Sequence, residues 1–184
     1  MSPQERRMQS NDWTARRILR ELCDPDRRLE ILSCFWSDAD DMSRRVAVAQ
    51  LARSLRFREG TLRKLPVEKK AQLLASRIGS AEYEEFFEAA LLSFHLVRRK
   101  ELMAAFLDAW GIPHQDGAIE QDAYKPPTQE EVEQALSTLG ERFERDDMIL
   151  YLATAGLVMG DAGSDWRGAT WPVVSAVTGS ADAS

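Results

Sequence analysis

The sequence predicts an all-α protein, and three observations carry that prediction. Apolar residues recur at helical spacing along nearly the whole chain, and no alternating apolar–polar run of four or more argues for a strand. Helix-start signals recur with it: Asp24-Pro25, Pro66, Ser80 and the T-x-x-E pair Thr128 and Glu131. The composition, 44% hydrophobic and 29% charged over 184 residues, is that of an ordinary globular domain able to bury one sizeable core. The expected architecture is an irregular multi-helix bundle, or a short array of helical pairs, with about nine helices and no sheet. One domain is expected over residues 1–177, followed by a disordered tail, TGSADAS, over 178–184.

Taken in order, Trp13, Ile18, Leu19 and Leu22 give a first amphipathic helix whose outer face carries Arg16, Arg17 and Arg20. Asp24 caps a second helix through Leu29, Leu32 and Phe35, with Pro25 at its first position, and Asp38-Ala-Asp-Asp breaks it. A third, over about 43–56, puts Val48, Leu51, Ala52 and Leu55 on one face. Pro66 opens a helix through Val67, Ala71, Leu74 and Ile78. Ser80 is placed to cap the next, whose first turns hold Glu82, Glu84 and Glu85 and whose apolar face runs from Tyr83 to Phe94. Arg98-Arg99-Lys100 marks its junction with a helix 101–110 built on Leu102, Phe106 and Trp110. The capping box at Thr128 starts a helix carrying Val132, Ala135, Leu136, Leu139 and Phe143. Segment 147–159 is apolar nearly all round and should be the most buried helix; Trp166 and Trp171 dock a short last helix before Pro172.

No apolar h-region follows the charges of MSPQERRMQSNDW, and the longest apolar run, 148–160, is about half the length that crosses a bilayer. Cys23 and Cys34 are two thiols in a chain large enough to need no disulfide staple. A reduced cytoplasmic protein without a membrane partner is expected.

Charge is unevenly spread. Residues 44–77 hold ten Lys or Arg and two acids, a net of +8, whereas residues 101–184 hold four basics and fifteen acids, a net of −11. Such asymmetry points to a basic face for an acidic macromolecule, or to helix faces that complement each other. On the third helix, Arg45, Arg53 and Arg56 fall within about 80° of one another and form a stripe. Residues 50–65, QLARSLRFREGTLRKL, are similar to the helix-turn-helix signature, with small Ala52 between the helices, apolar Leu55, a turn, and a second helix of about eight residues through Leu65. The resemblance implies that Thr61, Arg63 and Lys64 face DNA and that Arg53, Arg56 and Arg58 lie near phosphate. It departs from the pattern at Arg56, where glycine is usual and a positive φ costs an L-residue roughly 1 kcal/mol, and at Pro66, which truncates the second helix.

The segment GIPHQDGAIEQD, residues 111–122, places His114 beside Asp116, Glu120 and Asp122, with His95 as a remote fourth group. Neither H-x₃₋₅-H nor C-x₂-C spacing is present, so a metal centre is not expected. His114 as a general base would need a nucleophile and an orienting group; Ser93, Cys23 and Cys34 lack any local signature for the former. Gly111 suits a left-handed helix end, Pro113 blocks a restart, and Asp116-Gly117 makes a turn. The whole connection to Thr128, residues 111–127, which also carries Tyr124, is a candidate binding loop.

The segment AFLDAWGIPHQDGAIE (105–120), followed by the capped helix and DDMILYLATAG, resembles a pattern in all-helical bacterial proteins of no assigned activity, over residues 96–159. The resemblance implies an all-α fold and a bacterial cytoplasmic origin, and brings no cofactor and no catalytic residue. Together these readings favour a non-enzymatic protein, without cofactor or metal, that binds another macromolecule, a protein before nucleic acid. The candidate contacts are Arg45, Arg53, Arg56, Arg58, Arg63 and Lys64, with His114, Asp116 and Tyr124 in the loop. The alternatives are a helix-turn-helix DNA-binding regulator using residues 43–65 and a small hydrolase or metal protein centred on His114.

Overall fold

A computed structural model describes residues 13–119, 124–159 and 163–179. Among them are ten α-helices and one very short hairpin, so the all-α expectation holds. The chain divides into two compact units, residues 15–99 and a second containing residues 13 and 14 with those from 100 onward.

The first unit comprises α1 (Ala15–Glu21), α2 (Pro25–Asp38), α3 (Asp41–Leu55), α4 (Glu59–Arg63), α5 (Val67–Ala75) and α6 (Glu84–Arg98). Asp24 caps α2 as expected, its carboxylate accepting from the Arg27 N–H at 2.7 Å, with Pro25 at the first helical position. Helix α2 is the hub of this unit: Ile31, Leu32, Cys34, Phe35 and Trp36 are buried, and it packs against both α5 and α6. Helix α1 has its N-terminus capped from a distant part of the chain. The Glu84 carboxylate accepts from the Ala15 and Arg16 backbone N–H groups and from Arg16 Nε at 2.6 Å. An anion at the positive end of the helix dipole thus ties α1 to the start of α6. Ser80 does not cap α6: a single 3₁₀ turn, Ala81–Tyr83, intervenes, and Ser80 makes no side-chain capping bond. The early glutamates act instead through Glu84 across the unit.

The second unit contains α7 (Lys100–Ala109), α8 (Gln129–Leu139), α9 (Arg145–Val158) and α10 (Gly163–Gly179). The capping box forms in full, Thr128 Oγ1 accepting from Glu131 N at 3.3 Å and Glu131 Oε2 from Thr128 N at 2.7 Å. Helix α9 is buried continuously from Met148 to Gly156, which bears out its reading as a central helix. Around it Phe106, Trp110, Tyr151 and Trp166 form one aromatic cluster; Trp110 and Tyr151 stack at 17° with centroids 6.5 Å apart.

Two expectations fail here. The last helix does not stop before Pro172 but runs through it to Gly179, taking in the first two residues of the expected tail; residues 180–184 lie outside the described residues. Proline removes the bond to Gly168 O and crowds that carbonyl. Both Gly168 and Pro172 are exposed, so water can satisfy the carbonyl, while Trp166, Thr170, Trp171, Val173 and Val174 bury the other face. Packing outweighs the proline. A sheet also exists, in the form of β1 (His114–Gln115) paired antiparallel with β2 (Ala118–Ile119). Asp116 (φ 50°) and Gly117 (φ 87°) both lie in the left-handed region, as a two-residue type I′ hairpin turn requires.

Helices α9 and α10 meet at Gly156, where an added Cβ would strike the Trp171 indole Nε1 and lie 2.6 Å from Thr170 Oγ1. Gly156→Ala must therefore move α10, and Leu152→Ala empties a fully buried site. In chemical denaturation Leu152→Ala should cost about 2–5 kcal/mol, and Gly156→Ala about 1–3 kcal/mol. Near-wild-type stability of either variant would show that this pair is not the core of the second unit.

Candidate functional site

The basic stripe begins with the shape of α3. Asp40 caps it, its carboxylate accepting from Ser43 N at 2.9 Å, and Ala47, Val48, Leu51 and Ala52 are buried. At 100° per residue the opposite face carries Met42, Val46, Ala49 and Arg53, and exposed Arg45 stands at its border, on the flank close to Ala52. The helix ends in a Schellman turn: Arg56 adopts φ 56°, ψ 36°, Phe57 N donates to Ala52 O at 2.8 Å, and Arg56 N donates to Arg53 O at 3.3 Å. The position at which the helix-turn-helix pattern usually has glycine is therefore left-handed, and an arginine occupies it.

Helix α4 follows with Leu62 buried against the unit. It spans five residues, not the expected eight. Lys64 and Leu65 close it with i→i+3 bonds, and a residue before proline, as Leu65 is, is disfavoured in the α region. Thr61, Arg63 and Lys64 are exposed, but Arg63 pairs with Glu59 at 3.5 Å. Arg45, Arg53, Arg56 and Arg58 are exposed too. Among the described residues, neither these four nor Lys64 forms an ion pair. Large apolar side chains lie among them: Met42 is 68% exposed, Val46 47% and Phe57 48%. Sequence reading found the charges and missed these apolar neighbours, although the spacing of Met42, Val46 and Ala49 opposite the buried face could have revealed them.

A cleft of about 260 Å³ opens beside this face, lined by Trp36 of α2, Asp41, Arg44, Arg45 and Val48 of α3, Arg63 of α4 and Lys70 of α5. Arg44 is committed structurally, donating to Trp36 O and Ser37 O, both at 3.2 Å, and pairing with Asp41. Lys70 Nζ lies 5.4 Å from the centroid of the Trp36 ring, and that buried indole's Nε1 has no hydrogen-bond partner.

The histidine loop takes a different character. The Gly117 N–H donates to His114 Nδ1 at 3.1 Å, which leaves the ring proton on Nε2 to donate to Asp108 Oδ1, also at 3.1 Å. His114 thus braces the hairpin against α7. Asp116 is exposed in the turn, and Tyr124 packs edge-on against Trp166 at 6.1 Å. Glu120 and Asp122 lie outside the described residues. Among the described residues, no group of three His, Cys, Asp or Glu could hold a metal ion, and no helix is long and apolar enough to cross a membrane.

His95 is buried in the first unit, on α6. Its pKa is held down at about 3 by burial, reinforced by the nearby Arg27 and Arg99 charges. Burial pushes the Cys23 thiol up to about 12 and also raises Cys34, so neither thiol is poised as a nucleophile. Compared with family models, curated proteins and solved structures, the chain gives no match.

Two outcomes follow from the histidines. His114→Ala strands the Gly117 N–H and removes the tie to Asp108, so it should cost about 1–2 kcal/mol. Retention of wild-type stability would mean that the hairpin holds without this brace. For His95 the folded state resists protonation that the unfolded state accepts. Stability should be full above about pH 6.5 and fall as pH drops toward 3, by about 1.4 kcal/mol per unit. Denaturation between about pH 6 and 5 should show that slope in the wild type and lose it in His95→Gln. The same slope in both chains would remove His95 as its source.

Proposed function

We propose that the outer face of α3 and the turn after it bind an acidic protein partner, and that the chain acts by this binding rather than by catalysis, in a bacterial cytoplasm. One observation carries the reading: exposed Met42, Val46 and Phe57 are interleaved with unpaired Arg45, Arg53 and Arg56. Protein interfaces are enriched in Met, aromatic and Arg side chains, with apolar contacts supplying affinity and charge supplying orientation and rate. A phosphate backbone would use the arginines and leave the three apolar side chains without a purpose.

Arg56 adds independent support. Its left-handed backbone would be easier for glycine by roughly 1 kcal/mol, so an arginine there is held at a cost to the fold. A binding role for its guanidinium would offset that cost.

The second reading, a helix-turn-helix DNA-binding regulator over residues 43–65, is favoured by the same left-handed turn between α3 and α4. Against it stand the five-residue α4 and the Arg63–Glu59 pair, since a recognition helix must present several free side chains to base edges.

A photo-crosslinking residue in place of Ala49, in the source cell, separates the two. The expected adduct is a protein that survives nuclease treatment and disappears with Arg45→Glu plus Arg53→Glu. Arg56→Gly should stabilise the purified chain by about 0.5–1 kcal/mol while weakening the adduct. A nucleic-acid adduct would transfer the function to the DNA reading, and the absence of any adduct would end both.

A further inference from the structure

We propose that the cleft among α2, α3, α4 and α5 binds a phosphate monoester dianion. The lining brings four cations, Arg44, Arg45, Arg63 and Lys70, to one carboxylate, Asp41. Arg44 neutralises that carboxylate and is held by two backbone carbonyls. Three cations from three different helices are left facing one concavity: Arg45 and Lys70 without an ion pair among the described residues, and Arg63 sharing only the exposed Glu59. Like charges converging on a cleft repel one another and focus a positive field in it; a bound anion relieves the first and answers the second.

The ligand chemistry follows from the donors. Guanidinium groups present planar forks that match the oxygens of phosphate, and the Lys70 ammonium adds a point charge. A phosphate monoester carries close to two negative charges above its second pKa of about 6 and has three acceptor oxygens, so it suits three cations better than a single carboxylate does. Val48 and Trp36 make the apolar part of the wall. Trp36 is almost fully buried, and its Nε1–H has no acceptor, so its indole signal reports on changes in the cleft wall. The volume, about 260 Å³, equals that of roughly nine waters, room for a phosphate and a small organic group but not for a dinucleotide.

Such a phosphate can come from a small metabolite or from a phosphorylated side chain of a protein. The inference does not rest on the proposed partner, because the cleft lies on the flank of α3 and shares only Arg45 with its outer face.

The test uses the full chain with ¹⁵N-labelled tryptophan, at constant ionic strength and about pH 7.5, where the monoester is a dianion. Inorganic phosphate, O-phosphoserine and a phosphoserine peptide are titrated while the Trp36 indole signal is followed. A saturable shift is expected with at least one of them, at about millimolar concentration or below. Saturation by O-phosphoserine as well as by the peptide identifies a small-molecule site; saturation by the peptide alone identifies a protein-borne phosphate. Arg45→Gln and Lys70→Gln should each weaken the response about tenfold, and Lys69→Gln, on the same helix but outside the lining, should leave it unchanged. Matching indole spectra of the unliganded variants establish that the fold is intact; Arg63→Gln replaces any variant that fails this check. No shift with any of the three probes, an equal shift with chloride, or equal binding in the lining variants and the wild type would overturn the proposal.

Discussion

The C-terminal end of α2 presents backbone carbonyls that the helix itself cannot satisfy, and the arrangement of the basic face depends on how they are satisfied. Arg44, from the first turn of α3, donates to Trp36 O and Ser37 O and pairs with Asp41. A cation at the negative end of the α2 dipole therefore fixes the start of α3 to the end of α2. The connection between the two helices is only Ala39 and Asp40, so this clamp sets the side of α3 that turns inward. With Ala47, Val48, Leu51 and Ala52 inward, geometry places Met42, Val46 and Arg53 outward and Arg45 on the flank between the two. The same clamp keeps Trp36 against the cleft. Arg44 belongs to the fold, whereas its neighbour Arg45, one residue and about 100° away, forms no ion pair among the described residues.

The net charge of residues 44–77 alone does not distinguish a solvated helix from a binding surface, because exposed cations are common and each exposed ion pair contributes little to stability. Three apolar side chains standing among those cations are what favours the proposed binding surface. Exposed Met42, Val46 and Phe57 gain nothing from water, and a polar residue at any of these positions would leave the buried face of α3 untouched. The strained Arg56 points the same way through a different physical term, backbone conformation rather than hydration.

Much of the architecture was legible in the sequence because it depends on local chemistry. Asp24 before Pro25, the Thr128–Glu131 box and Gly111 at a helix end each act within a few residues of themselves, and each is found in its expected role. Less legible were features set by distant groups. Nothing near Ala15 announces that its helix will be capped by Glu84, nor does anything near Pro172 show that Trp166 and Trp171 will hold a helix through it. The hairpin was half legible: Asp116-Gly117 signals a turn, but strands of two residues are too short to produce any alternation. At the candidate site the arginines could be read from the chain. The cleft could not, since Trp36, Arg45, Arg63 and Lys70 come together only when four helices pack.

Two helix ends share one backbone design and differ in their side chains. At the end of α7, Gly111 takes φ 65° and Ile112 N donates to Leu107 O at 2.9 Å; at the end of α3, Arg56 takes φ 56° and Phe57 N donates to Ala52 O at 2.8 Å. Both are Schellman turns, which ordinarily combine an unstrained glycine with a hydrophobic contact from the residue after it. The α7 end has both, with Ile112 only 4% exposed. At the α3 end an arginine takes the place of the glycine, and Phe57 stands half in solvent. Selection for stability alone would favour glycine at residue 56 and a buried side chain at residue 57. The backbone solution is the same, but the two side chains that would stabilise it have been exchanged for one charge and one exposed aromatic ring, the pair that a partner surface would use.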